Sequence, residues 1–231
     1  MKERLQKILS ANGICSRRTA ENYLRQRRII VNGIVAELGA CADPELDDIT
    51  LDGVSIQRKA QRTYLMLNKP RGYVSTLSDE RGRRNVAMLV EDCGVRVWPV
   101  GRLDQESEGL LLLTNDGDLT NHLLHPSHNV EKEYLVWVQG SIIESMEKLR
   151  KPMVLNGERM QVDRIEHKGN CLLSIVIHQG KNRQIRRMCA AAGLHVTRLK
   201  RIREGTLSLG DLKVGAWRPL SKEEVRQLTS L

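Results

Sequence analysis

Five carboxylates, Asp104, Glu106, Glu108, Asp116 and Asp118, stand within GRLDQESEGLLLLTNDGDL (residues 101–119) against a single base, Arg102. Three kinds of chemistry use such a segment: a calcium loop, a solvated turn, or a loop that presents one catalytic carboxylate. A calcium loop of the EF-hand type needs short Asp or Asn ligands at its third and fifth places and a bidentate Glu at its twelfth. Counted from Asp104, glutamates fill the third and fifth places and Asn115 the twelfth, so the calcium reading fails. What survives is RLD followed by the apolar run Leu110–Leu113, a short core strand able to hold the preceding loop still. By residue type alone, an Asp before a strand is more often a turn residue than a catalytic one.

Other reactive side chains do not assemble into a site. His122, His125 and His128 have the i, i+3 spacing that can bring imidazoles to one helical face, but Pro126 ends the helix and no Cys, Asp or Glu joins them at ligand spacing. QGKNRQ (179–184) lacks the glycine spacing and the Lys-Ser/Thr pair of a phosphate-binding P-loop. No G-x-S-x-G nucleophile elbow occurs, and the five cysteines are scattered without a C-x-x-C pair, which points to reduced thiols rather than disulfides or zinc.

Charge is unevenly spread. Residues 1–30 hold eight basic residues against Glu3 and Glu21, and residues 181–203 hold eight with no acid. The formal charge of the chain is +9, so the remainder is net acidic, and two basic concentrations of this kind suit a polyanion. With 231 residues, 40% hydrophobic and 28% charged, the composition is that of a globular protein with room for two unequal domains. The absence of Phe has no physical account. No apolar run approaches the roughly 20 residues that span a bilayer, and MKERLQKIL lacks the apolar core of a secretion signal, so the expected location is the cytoplasm. Chain length suggests a monomer.

The elements that would carry these residues fall into two groups. In residues 1–60, ERLQKIL sets Leu5, Ile8 and Leu9 at helical spacing, and Ser16 is an N-cap for a helix with Ala20, Tyr23 and Leu24 on its apolar side. The strand IIV with the turn pair Asn32-Gly33, and ITLDGVSI with Asp52-Gly53, complete an α+β module. A polar, basic link, Gln57–Arg62, follows. Beyond it YLMLN, VEKEYLVWV, RMQVDRI and CLLSIVI alternate as strands. NRQIRRMCAAAGL, ending near Gly193, and SKEEVRQL, with a Ser221/Glu224 capping box, read as helices. Strands that succeed one another without intervening helices favour a largely antiparallel α+β sheet with flanking helices.

At these residues the chain resembles a known family. GRLDQESEGLLLLTNDG is similar to the signature of bacterial ribosomal RNA pseudouridine synthases of the RsuA/RluB/RluE/RluF family. LNKPRGYVST (67–76), EKEYLV (131–136) and QGKNRQIRRM (179–188) resemble its other blocks in the same order. LQKIL, GICSRRTAENYL and VNG in residues 1–60 resemble the small RNA-binding domain first described in ribosomal small-subunit protein four. The resemblance implies an RNA-binding domain at 1–60 and a catalytic domain of the pseudouridine synthase fold at 63–231.

It also implies the reaction and its residues. Uridine within folded RNA becomes pseudouridine: the N-glycosidic bond breaks, uracil turns, and C5 joins C1′. Asp104 is then the essential carboxylate, attacking C1′ directly or removing the 2′-proton by way of a glycal. Arg186, in QIR, matches the basic partner that keeps it ionised, and Tyr134, in KEY, the aromatic ring that packs on the extruded base. The isomerisation is redox-neutral and intramolecular, so neither a cofactor nor a metal is expected. Arg17, Arg18, Arg25 and Arg28 are candidate phosphate contacts of the first domain; Lys69, Arg71, Arg102, Arg183 and Arg187 are those of the second. The preferred partner is 23S rRNA near the peptidyl-transferase region, free or in a pre-ribosomal particle. A 16S rRNA substrate and a non-catalytic ribosome-assembly factor are the alternatives.

Overall fold

Helices and strands were assigned in a computed structural model that describes residues 1–56 and 61–231. Of the link expected at 57–62, residues 57–60 lie outside the described residues. The chain forms two compact units, Met1–Thr63 with Gly94–Val97 and Asn115–Gly117, and the rest from Tyr64 to Leu231.

In the first unit the helices Leu5–Ala11 and Arg17–Arg25 bury Leu5, Ile8, Leu9, Ala20 and Leu24 against Ile29 and Ile49 of a small antiparallel sheet. The second helix starts where Ser16 Oγ accepts from Thr19 N at 3.0 Å, satisfying an amide that has no intrahelical partner. Both hairpins turn through left-handed pairs, Asn32-Gly33 and Asp52-Gly53, the geometry whose twist matches the flanking strands.

The second unit is built on a nine-stranded sheet. Its main path runs Arg164–His167, Leu172–Ile177, Lys132–Gln139, His195–Glu204, Glu108–Thr114, Tyr64–Lys69 and Trp217–Pro219. Leu207–Ser208 and Trp98–Val100 pair off that path. All these pairings are antiparallel except one, a two-residue parallel contact of Glu108 with Lys200 and Gly109 with Arg201. Every residue of Glu108–Thr114 is buried, because both faces of this central strand are covered. Leu110 and Leu112 pack in one cluster with Leu119 and Leu123, and with Leu228 of the helix Lys222–Thr229, whose Ser221/Glu224 capping box forms as its sequence dictates.

Two parts differ from the sequence pattern. RMQVDRI is not one strand: Glu158–Met160 closes a hairpin with Met153–Leu155 around Asn156-Gly157, and only Arg164–His167 joins the main sheet. The ten-residue strand His195–Glu204 was hidden within a basic run, because two bulges opposite Lys132–Gln139 interrupt the alternation that marks a strand.

Candidate active site

A cavity of about 630 Å³ opens in the second unit where the loop before Glu108–Thr114 meets the ends of Lys132–Gln139, Leu172–Ile177 and His195–Glu204. Arg102, Asp104, Tyr134, Lys132, Arg183 and Arg201 are among its lining side chains. Asp104 is half-buried, so its carboxylate meets both the cavity and a fixed backbone.

The backbone around Asp104 is held at each successive residue. Leu103 N donates to Ser75 Oγ at 3.1 Å, while the same hydroxyl donates to Leu103 O at 2.8 Å. Ser107 N closes a turn onto Asp104 O at 3.0 Å, and Gly72 N donates to Gln105 O at 2.7 Å. Arg186 Nη2 donates to Glu106 O at 3.3 Å, and Lys69 Nζ to Ser107 O at 2.8 Å. Next in the chain, Gly109 sits at φ +104°, where a Cβ would lie 2.1 Å from Arg201 O; only glycine permits the parallel contact that anchors the loop to the neighbouring strand.

Electrostatics links the residues to one another. The charge of Asp104 acts on Lys69, Tyr134 and Arg186 alike. Burial pushes the Lys69 ammonium down to about 8 against the opposing pull of Asp104 and Glu108. Burial raises Tyr134, whose ring therefore stays a neutral phenol, and lowers Arg186. Tyr134 stands directly opposite Arg201 across the strand pair, and Lys132 opposite Glu204. Arg201 and Glu204 are 2% and 0% exposed and form an ion pair at 3.3 Å, with Arg201 Nε donating to Leu110 O at 2.7 Å. Burial disfavours the Arg201 charge, but Glu204 and Tyr134 outweigh it and the guanidinium is held more firmly protonated than usual.

The residues singled out in the sequence do not all converge. Asp104, Tyr134, Arg102 and Arg183 line the cavity together. The Arg186 guanidinium bonds the carbonyls of Val196 and Glu106, so it acts on Asp104 by charge and through the loop backbone and makes no bond to the carboxylate. Arg71 is exposed beside Gly72. Lys69 corrects an expectation: it is fully buried, with Nζ donating to Pro70 O and Ser107 O, and no phosphate can reach it. Arg187 is likewise engaged, with Glu158 at 2.7 Å and with Leu155 O. In the first unit Arg17 and Arg18 are exposed, Arg25 lies beside Glu21, and Arg28 pairs with Asp52 while stacking 4.2 Å over Tyr23.

The acidic island also resolves differently from a set of solvated turns. Glu108 is buried and pairs with Arg198, and Asp116 is buried and pairs with Arg62 at 3.2 Å. Glu106 and Asp118 are exposed; Glu106 is bonded to Arg183 at 3.0 Å and thereby held below the usual carboxylate range. Ser75, Lys132, Arg201 and Glu204 escaped the sequence reading. The last three occupy inward positions of strands where alternation predicts apolar side chains, and only for Glu204, the acid that ends a run of bases, does the sequence hold a signal that could have found it.

Asp104 thus shares one cavity with the buried phenol of Tyr134 and with Lys132, Arg183 and Arg201. The family model described as RNA pseudouridylate synthase matches residues 63–191, and that of the S4 domain matches residues 3–39. The chain is 43% identical to an RNA pseudouridine synthase of Mycobacterium leprae, over 97% of this chain and 91% of the relative. It is 37% identical to ribosomal large subunit pseudouridine synthase B of Bacillus subtilis, over 99% and 96%. With the dual-specificity RNA pseudouridine synthase RluF of Escherichia coli it shares 38% identity over 99% and 79%. A crystal structure of a pseudouridylate synthase superposes with a TM-score of 0.69 at 28% identity, covering 97% of this chain and 99% of that one. The chain belongs to the RNA pseudouridine synthase family and carries an S4 RNA-binding domain at its N-terminal end.

Proposed function

We propose that this enzyme isomerises uridine to pseudouridine in ribosomal RNA, with Asp104 as its catalytic carboxylate. The observation that carries the assignment is Asp104 at the wall of the cavity that also contains Tyr134, on a loop bonded at every residue from 103 to 107. A uridine turned out of its stack presents C1′ to Asp104 while its base enters against the Tyr134 ring. The N1–C1′ bond breaks, uracil rotates within the cavity, and C5 bonds C1′. The proton on C5 is then lost and N1 gains one, so atoms balance without a redox partner. Lys69 and Arg186 place positive charge near the carboxylate that attacks C1′ or removes the 2′-proton.

The substrate we favour is 23S rRNA near the peptidyl-transferase region, free or within a pre-ribosomal particle, bound by a monomer in the cytoplasm. Likeness to the Bacillus subtilis large-subunit enzyme supports that choice, and the dual-specificity name of the Escherichia coli relative makes a second RNA target a concrete alternative. Phosphate contacts are assigned to Arg17, Arg18, Arg25 and Arg28 in the domain of residues 1–60, and to Arg71, Arg102 and Arg183 around the cavity in that of residues 63–231. Mapping pseudouridine in total rRNA from cells with and without the gene should show one missing site in 23S rRNA. Complementation by Asp104→Asn should leave that site unmodified while the purified variant still binds RNA. A complete pseudouridine map in the deletion strain would sink the assignment, and a missing site in 16S rRNA or tRNA would redirect it.

A further inference from the structure

The loop bearing Asp104 is joined to the segment Arg71–Thr76, and one side chain makes two of the bonds in that junction. Ser75 Oγ accepts from Leu103 N at 3.1 Å and donates to Leu103 O at 2.8 Å. A single hydroxyl therefore does what a paired strand residue does, fixing both polar groups of the residue immediately before Asp104. Leu103 itself is buried and lines the cavity, so the clasp and the reacting carboxylate share one peptide unit. Ser75 is in turn set by its neighbours: Val74 N donates to Arg84 O at 2.9 Å, Val86 N to Val74 O at 3.1 Å, and Thr76 N to Val74 O at 3.0 Å. A second tie, Gly72 N to Gln105 O at 2.7 Å with Gln105 Nε2 returning to Gly72 O at 3.3 Å, holds the residue on the other side of Asp104.

From this geometry we infer that Ser75 is a positioning residue for the isomerisation: its hydroxyl fixes the direction in which the Asp104 carboxylate leaves the loop. The inference rests on Asp104 being the catalytic carboxylate. Ser75 bonds no cavity-facing side chain and carries no charge, so its removal should act on the rate of the chemical step and not on RNA affinity. A displacement of about 1 Å at a reacting group costs on the order of 100-fold in rate, which sets the scale of the expected loss.

The experiment compares Ser75→Ala, Ser75→Thr and Ser75→Val in single-turnover pseudouridine formation on a 23S rRNA fragment, with RNA affinity and thermal unfolding measured on the same proteins. Thr and Val have nearly the same shape and differ in the hydroxyl. Ser75→Ala and Ser75→Val should lose about 10- to 100-fold in single-turnover rate at saturating enzyme, with RNA affinity within about twofold of the parent. Ser75→Thr should recover most of that loss. Thr76→Ala, whose hydroxyl bonds only Ser78 O, serves as the neighbouring control and should stay within about twofold. Equal rates for Ser75→Thr and Ser75→Val, or losses confined to affinity or to folding, would overturn the inference. Asp104→Asn run alongside separates the two claims: an inactive Asp104→Asn with fully active Ser75 variants removes only the clasp, whereas an active Asp104→Asn removes the reading beneath it.

Discussion

Two segments of this chain hold the same number of basic side chains and use them differently. Residues 1–30 and 181–203 each hold eight basic side chains. In the first, Lys7, Arg25 and Arg28 meet Glu3, Glu21 and Asp52, while Arg17 and Arg18 stand exposed on a helix. In the second the charge is largely consumed by carboxylates: Arg183 with Glu106, Arg187 with Glu158, Arg198 with Glu108, Arg201 with Glu204, and Arg203 with Glu131 and Glu133. A run of bases in sequence is thus no measure of surface potential, since its partners are supplied from other strands. The exposed run can bind an anion; the paired run sets the shape of a cavity.

The comparison can be broken most severely at Arg201. Arg201→Ala would strand the Glu204 carboxylate at zero exposure and remove the bond to Leu110 O, and it should cost about 3–5 kcal/mol in a urea unfolding experiment. Replacing both partners, Arg201→Met with Glu204→Leu, should restore most of that stability, because no buried charge is then left alone. A single Arg201→Ala variant as stable as the parent would mean that the pair is solvated after all.

A second, smaller effect tests Lys69, another cation taken out of solvent. Its folded value of about 8 lies below the ordinary 10.5, so between those values the unfolded chain binds more protons than the folded one. Stability contributed by this residue must therefore rise with pH across that window, and the cost of the buried charge is fully present below it. Lys69→Met should flatten the rise seen between pH 8 and pH 10 in urea unfolding of the parent; an unchanged slope would show that the ammonium is hydrated.

The smallest effect on stability belongs to the exposed run. Replacing Arg17 and Arg18 together by Ala should leave the unfolding free energy within about 0.5 kcal/mol, while the slope of log affinity for RNA against log salt falls by about 1 to 2. A slope that stays put would count against this helix as a phosphate contact.

Much of this architecture was legible from local signals. Asn32-Gly33, Asp52-Gly53, Ser16 and the Ser221/Glu224 box act through neighbours a few residues away, and they form as read. Lys132–Gln139 shows through its alternation, and Tyr64–Lys69 and Leu172–Ile177 through short apolar runs bounded by polar residues. What stayed hidden depends on partners far along the chain. Lys69 looked like a surface base because nothing local says that Ser107 O waits for its ammonium. Arg201 and Glu204 could not be placed because strand pairing with Lys132–Gln139, bulges included, decides which way they point. In the same way Ser75 matters through Leu103, a residue it meets only after folding.

The single parallel contact of the large sheet, Glu108–Gly109 against Lys200–Arg201, has a consequence for how the enzyme comes into being. On one side of it lie four strands joined only by antiparallel pairings, from Arg164–His167 to His195–Glu204; on the other lie Glu108–Thr114, Tyr64–Lys69 and Trp217–Pro219. The two sets touch through residues roughly ninety positions apart, a wider separation than any pairing inside the first set and so entropically later than those. The cavity lies along that closure, with Asp104 contributed from one side and Tyr134 and Arg201 from the other. A growing chain therefore holds no assembled reaction centre until its last third has been synthesised and docked, so RNA contact through the first domain can precede competence for chemistry.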